Sequence, residues 1–173
     1  LNKETFDYST FLGTYNSYNI AAALITCLEL GIDSEKIKIG LKQLPQLRGR
    51  LEKYQLKNGA TVYIDYAHTP GSFKELFKTA KTWSDHLIVL FGAGGGKDCA
   101  KRSLMGTIAA EFADQIILTS DNPRHEDPAE IIKDIVQDFS EIDRKKTFVE
   151  LDRKKAIEKA VEVSQPHSVI LLL

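Results

Sequence analysis

Three polar clusters in this chain each follow an apolar run and carry groups suited to a charged ligand. The first is Asp65-Tyr66-Ala67-His68-Thr69-Pro70. The second is Gly92-Ala93-Gly94-Gly95-Gly96-Lys97-Asp98, and the third is Asp121-Asn122-Pro123-Arg124-His125-Glu126. A carboxylate such as Asp65 can accept from two ribose hydroxyls, and His68 beside it can stack or hydrogen-bond. The glycines of the second cluster permit positive φ and put no Cβ between backbone and ligand, and Lys97 adds a cation. Arg124 offers a planar fork that suits a carboxylate. Arg48 and Arg50 are candidates for phosphate contact. Asn16 and Asn19, one helical turn apart, offer amide donors and acceptors to a flat heterocycle such as adenine.

Each of these has a plainer alternative. Asp65 and His68 would cap a helix starting at Thr69-Pro70, and the two asparagines would cap theirs. The arginines would be solvated, as lone arginines usually are, and the glycines would form an ordinary strand-to-helix turn. Two familiar glycine motifs are excluded. A Walker A loop needs Gly, four residues, then Gly-Lys-Ser/Thr; Phe91 stands where the first glycine belongs and Asp98 where the hydroxyl belongs. Gly-x-Gly-x-x-Gly fails because Lys97 holds its third position.

The clusters need a scaffold, and the hydrophobic pattern supplies one. Leu87–Phe91 is apolar without a break, the pattern of a strand buried on both faces. Residues 1–14 show no clear period. Residues 15–30 place Ile20, Ala21, Leu24, Ile25 and Leu28 on one helical face, with Gly31 as the stop. Asp33 or Ser34 caps a second helix. Asn58-Gly59 between residues 51–57 and 60–65 is a hairpin signal. Strand and helix then alternate. A helix after Thr69-Pro70 bears Phe73, Leu76, Phe77, Ala80 and Trp83, and one after the glycines bears Leu104, Met105, Ile108, Ala109 and Phe112. Strand 115–119 leads to a helix with Asp127 as cap, Pro128 at its first position and Glu130 closing a capping box. Strand 147–151, a helix capped by Asp152 and a strand over 168–173 complete the pattern. The fold class is α/β: a Rossmann-like open, mostly parallel sheet with helices on both faces and an N-terminal β-hairpin, preceded by a short helical segment. In such a sheet the parallel strands end at one edge, so the three clusters converge there.

Composition narrows the function. Of 173 residues, 43% are hydrophobic and 27% charged, with net charge −1; this is a globular balance with no electrostatic case for nucleic acid or a membrane surface. No apolar run reaches the roughly 20 residues of a membrane span, and no signal peptide opens the chain, so a cytoplasmic location is expected. Cys27 and Cys99 are the only cysteines and are expected unpaired. Leu1 is not an initiator, and the chain stops in an apolar strand, so a fragment of a longer polypeptide is expected.

The clusters also resemble the Mur ligase family in order and spacing, most closely its members that add the third residue of the peptidoglycan stem peptide. The resemblance runs through Gly13-Thr14-Tyr15-Asn16-Ser17-Tyr18-Asn19, Gly49-Arg50-Leu51-Glu52, Asp65 to Pro70, Gly92 to Gly95, Lys101-Arg102, Met105-Gly106 and Asp121 to Arg124. It implies an ATP-dependent carboxylate–amine ligase, with Mg²⁺, that activates UDP-N-acetylmuramoyl-L-Ala-D-Glu as an acyl phosphate and joins it to an amino acid. By position, residues 1–46 would close the family's central ATPase domain and residues 47–173 would form its C-terminal domain, cut after the last strand. Asn16, Asn19, Arg50, Asp65 and His68 would meet the nucleotide. Lys97, Asp121, Asn122, Pro123 and Arg124 would meet the amino acid, and the Asp-Asn-Pro-Arg sequence implies meso-diaminopimelate. Lys97 and Ser103 depart from the family's usual arginine and proline. The phosphate loop and a Gly-Lys-Gly-His-Glu stretch lie outside the chain, so it would be inactive alone. A lysine-adding relative, a folylpolyglutamate-type ligase and a non-catalytic nucleotide-binding module are the alternatives.

Overall fold

The computed structural model describes residues 5–7 and 13–173; most of the aperiodic stretch over residues 1–14 lies outside them. The chain divides into two compact units, Leu1–Leu47 and Arg48–Leu173. The first contains α1 (Thr14–Glu29) and α2 (Ser34–Gln43). Gly31 takes φ +75° after α1, a left-handed position that favours glycine. Asp33, not Ser34, caps α2, accepting from the backbone N–H groups of Glu35 and Lys36. On the expected apolar face of α1 only Ile20 is buried; Ile25 and Leu28 are exposed.

The second unit opens with the hairpin β1 (Glu52–Gln55) and β2 (Thr61–Ile64). Gly59 N–H donates to Leu56 O and Leu56 N–H to Ala60 O, with Gly59 at φ +90°. This is a type I turn closed by a glycine bulge. The alternation that follows is α3 (Pro70–Lys81), β3 (Leu87–Phe91), α4 (Ala100–Phe112), β4 (Gln115–Leu118), α5 (Pro128–Val136), α6 (Glu141–Lys145), β5 (Thr147–Val149), α7 (Arg153–Glu162) and β6 (Val169–Leu172). The sheet order is β1-β2-β6-β3-β4-β5, with β1 antiparallel and the rest parallel. The last strand thus lies between β2 and β3.

Strand β3 is fully buried along its length. Its side chains alternate between faces, as a period of two requires. Ile88 and Leu90 pack with Ile117, Ile170, Leu172 and the alanines Ala156 and Ala160 of α7. Phe91 turns the other way and meets Phe73 of α3 edge-on at 5.1 Å. Helix α3 starts as expected, with Thr69 as cap and Pro70 next, and Ser72 completes a capping box.

Three expectations are corrected. Helix α4 does not bury Leu104, which is exposed; its buried positions are Arg102, Met105, Gly106 and Ala109. The reason is contact with α5: a Cβ on Gly106 would lie 2.1 Å from Ile135 O, so the two backbones nearly touch. In α5, Asp127 caps through Ala129 N–H, but Glu130 pairs with Lys133 instead of closing a capping box. The strand expected over 147–151 is only the edge strand β5, and the short α6, begun by a Ser140–Asp143 capping box, was not expected.

The α4–α5 contact yields a test. Gly106→Ala must push two helix backbones apart and should cost about 2–3 kcal/mol, read as a lower urea midpoint at unchanged m-value.

Candidate functional site at the carboxyl edge of the sheet

Strands β2, β3 and β4 run parallel within one sheet, so the three polar clusters leave it at one edge. Strands β3 and β4 are neighbours, while β6 separates β2 from β3. The second and third clusters are therefore adjacent, and the Asp65 cluster lies one strand away.

Asp65 is 8% exposed. Its Oδ2 accepts from Leu51 N–H and its Oδ1 from Ala67 N–H, both at 2.9 Å. It does not cap α3, which Thr69 caps. It ties the turn before β1 to the loop after β2 and holds Leu51 at φ +51°. Glu52 supports the same turn by accepting from Gly49 N–H at 3.0 Å. The Arg50 guanidinium lies 5.6 Å from the centre of the Tyr66 ring, and that ring lies 5.1 Å from His68. His68 Nδ1 is 2.9 Å from Tyr66 O. A carbonyl only accepts, so Nδ1 carries the proton in this bond. Arg50, Tyr66 and His68 are exposed and form a shelf beside the buried Asp65 carboxylate. That chemistry fits a nucleoside with its sugar on Asp65.

Asn16 and Asn19 belong to the first unit, where Asn19 Nδ2 donates to Asn16 Oδ1 at 3.4 Å. Neither caps α1: its cap is Gly13, without a side-chain bond.

The glycine loop and the turn after β4 are built against each other. A Cβ on Gly92 would lie 2.3 Å from Thr119 O, and one on Gly95 1.9 Å from Pro123 O. Gly95 N–H donates to Asn122 O at 3.2 Å. Asn122 and Arg124 both take positive φ, +39° and +54°, an unfavourable choice for side chains other than glycine that is typical of functional turns. Arg124 is exposed, and its Nη1 donates to Gly95 O at 2.6 Å. Asp121 and Lys97 are exposed, and Pro123 is half-buried.

Beneath this surface lies Arg102, 1% exposed. Its Nη1 and Nη2 meet Glu126 Oε2 and Oε1 at 2.8 and 3.0 Å. Nη1 also reaches Asp134 at 2.8 Å, and Nη2 reaches Gly94 O at 3.2 Å. Glu126 accepts from Gly96 N–H as well. The Arg102 guanidinium, then the Gly96 amide, hold the Glu126 carboxyl below its ordinary value of 4.5. In the sequence Arg102 stands in the Lys101-Arg102 motif with no role of its own, and Glu126 only closes the third polar cluster. Arg102, Met105, Gly106 and Ala109 are spaced as one helical face, and that spacing was the available signal.

An exposed arginine anchored on a glycine loop, with a buried carboxylate and exposed rings one strand away, lies on the carboxyl edge of an open α/β sheet, where sheets of this kind bind their ligands. Residues 49–173 match the family model described as Mur ligase, glutamate ligase domain, and the chain belongs to the Mur ligase family. It is similar to the UDP-N-acetylmuramoyl-L-alanyl-D-glutamate–2,6-diaminopimelate ligase of Aquifex aeolicus, 42% identical over 170 residues, covering 97% of this chain and 34% of that protein. The Synechocystis protein of the same name is 40% identical over 167 residues, covering 95% and 33%. A solved structure of a ligase so named aligns with TM-score 0.67 at 34% identity, over 92% of this chain and 33% of that one. Mycobacterium tuberculosis folylpolyglutamate synthase complexed with ADP gives TM-score 0.75 at 20% identity, over 94% and 38%, a likeness of fold. The chain spans about a third of the length of the curated relatives it matches.

The Glu126 site predicts a pH dependence. A carboxyl lowered in the folded state stabilises the fold above its unfolded value, and that stabilisation is lost as pH falls through the folded value. Stability should therefore decline more steeply below pH 4.5 in the parent than in Glu126→Gln, as measured by urea unfolding across pH. Equal slopes would show that the Arg102–Glu126 pair does not couple to folding.

Proposed function

We propose that this chain is the carboxyl-terminal part of a cytoplasmic, ATP-dependent ligase that adds meso-diaminopimelate to UDP-N-acetylmuramoyl-L-Ala-D-Glu in peptidoglycan synthesis. Residues 1–46 then close the central ATPase domain, and residues 47–173 receive the amino acid. The names of the relatives support this reading. The observation that carries it is Arg124, whose guanidinium is anchored by one nitrogen to Gly95 O while exposed at the end of β4. Its remaining donors can bind a carboxylate through charge-assisted bonds.

ATP, with Mg²⁺, supplies the phosphoryl group that turns the D-glutamyl carboxylate into an acyl phosphate, from which the incoming amine displaces phosphate. The Mg²⁺ would sit with the phosphates, mainly in the central domain. The chain's own work is to bind and orient. Asp65 accepts from the ribose hydroxyls, and Arg50 and His68 lie near the nucleotide. Lys97 meets the α-carboxylate of the amino acid as a point charge rather than a fork. Asp121 and Asn122 line the same turn, and Pro123 limits φ between Asn122 and Arg124.

Diaminopimelate differs from lysine by a carboxylate at the far end of the side chain. Arg124 is the cation for that carboxylate. A charge-assisted contact contributes about 1.5–3 kcal/mol, so in the full-length enzyme Arg124→Ala should raise the KM for diaminopimelate by roughly one to two orders of magnitude. The KM for ATP should stay nearly unchanged. Undiminished use of diaminopimelate by the variant would remove Arg124 from substrate recognition.

A further inference from the structure

We propose that Arg102 and Glu126 are positioning residues for the amino acid: their ion pair fixes the turn carrying Asn122 and Arg124 against the glycine loop. Substrate affinity is then set from below, by a pair that need not touch the substrate. This deepens the proposed function and rests on its assignment of Arg124.

The geometry gives one carboxylate two tasks. Glu126 closes a two-pronged bond with Arg102 at 2.8 and 3.0 Å and also accepts from Gly96 N–H. Arg102 in turn donates to Gly94 O. Both loops are therefore bound to the same pair of charges, and Asp134 on α5 holds Arg102 from the helix side. The turn needs such support. Two of its residues, Asn122 and Arg124, have left-handed backbone without being glycine, a conformation that persists only when the surroundings over-determine it. The guanidinium of Arg124 is aimed by Gly95 O, which lies between the Gly94 carbonyl and the Gly96 amide that the pair holds. If the Arg102–Glu126 pair loosens, the anchor of Arg124 moves with the loop. A misplacement of about 1 Å is enough to weaken a bidentate contact severely.

The test is steady-state kinetics on the full-length ligase, with KM for diaminopimelate and for ATP measured separately. The variants are Glu126→Gln, Arg102→Lys, Arg124→Ala and the double variant Glu126→Gln/Arg124→Ala. Asp152→Ala, which uncaps α7 on the opposite face of the sheet, is the control for lost stability alone. Glu126→Gln should raise the diaminopimelate KM about tenfold and change the ATP KM less than about twofold. Arg102→Lys, which keeps charge but loses the fork, should act in the same direction. The double variant should be no worse than Arg124→Ala, because both act through one contact. Asp152→Ala should leave both KM values unchanged. Glu126→Asp, still anionic and one methylene shorter, answers the same question if the glutamine variant does not fold.

An unchanged diaminopimelate KM in Glu126→Gln, beside a raised one in Arg124→Ala, would overturn the positioning role and leave the proposed function standing. Equal rises in both KM values, or a double variant with multiplied losses, would also overturn it. An unchanged KM in Arg124→Ala would overturn the assignment of Arg124 and the positioning role with it.

Discussion

A single buried guanidinium organises the working edge of this domain. Arg102 projects from α4 and is bonded to α5 through Asp134, to the turn after β4 through Glu126 and to the glycine loop through Gly94 O. Burying a charge is unfavourable unless it is paired and hydrogen-bonded. Here the desolvation falls mainly on the arginine, since the side chains of Glu126 and Asp134 remain 34% and 46% exposed. Such pairs contribute little net stability compared with a well-packed apolar core. What this one does is join the two loops and α5 through a single side chain.

Glycines make the arrangement sterically possible. Gly92 and Gly95 lie where any Cβ would collide with backbone of the neighbouring turn, and Gly106 does the same for the helix beneath. The loops can thus approach closely enough for Glu126 to reach Gly96 and for Arg124 to reach Gly95. Asp65 performs the parallel task one strand away, using both carboxylate oxygens to join the turn before β1 to the loop after β2. At both places charged side chains hydrogen-bond to backbone, and exposed side chains surround them.

Much of this could be read in advance. Local signals carried the elements: the unbroken apolar run of β3, Asn58-Gly59 in the hairpin, Thr69-Pro70 before α3, and Asp127 and Asp152 as caps. The three polar clusters were legible because each follows an apolar run. The position of β6 between β2 and β3 was not, since parallel pairing joins residues distant in the chain and leaves no local mark. The buried face of α4 was harder to read, because its largest member is Arg102, a residue type usually solvated, and its partner Glu126 lies 24 positions away. The missing capping box of α5 has a similar cause, because Glu130 had a lysine within reach and took it.

The proposed function depends on Arg124 as a cation held in place for the distal carboxylate of the amino acid. The most direct measurement is the amino acid specificity of the full-length enzyme, from ATP-dependent peptide formation with meso-diaminopimelate and with L-lysine in parallel. A single lost charge-assisted contact corresponds to about 10- to 100-fold in kcat/KM. The account therefore predicts a preference for diaminopimelate at least that large. Equal use of the two amino acids, or a preference for lysine, would contradict it.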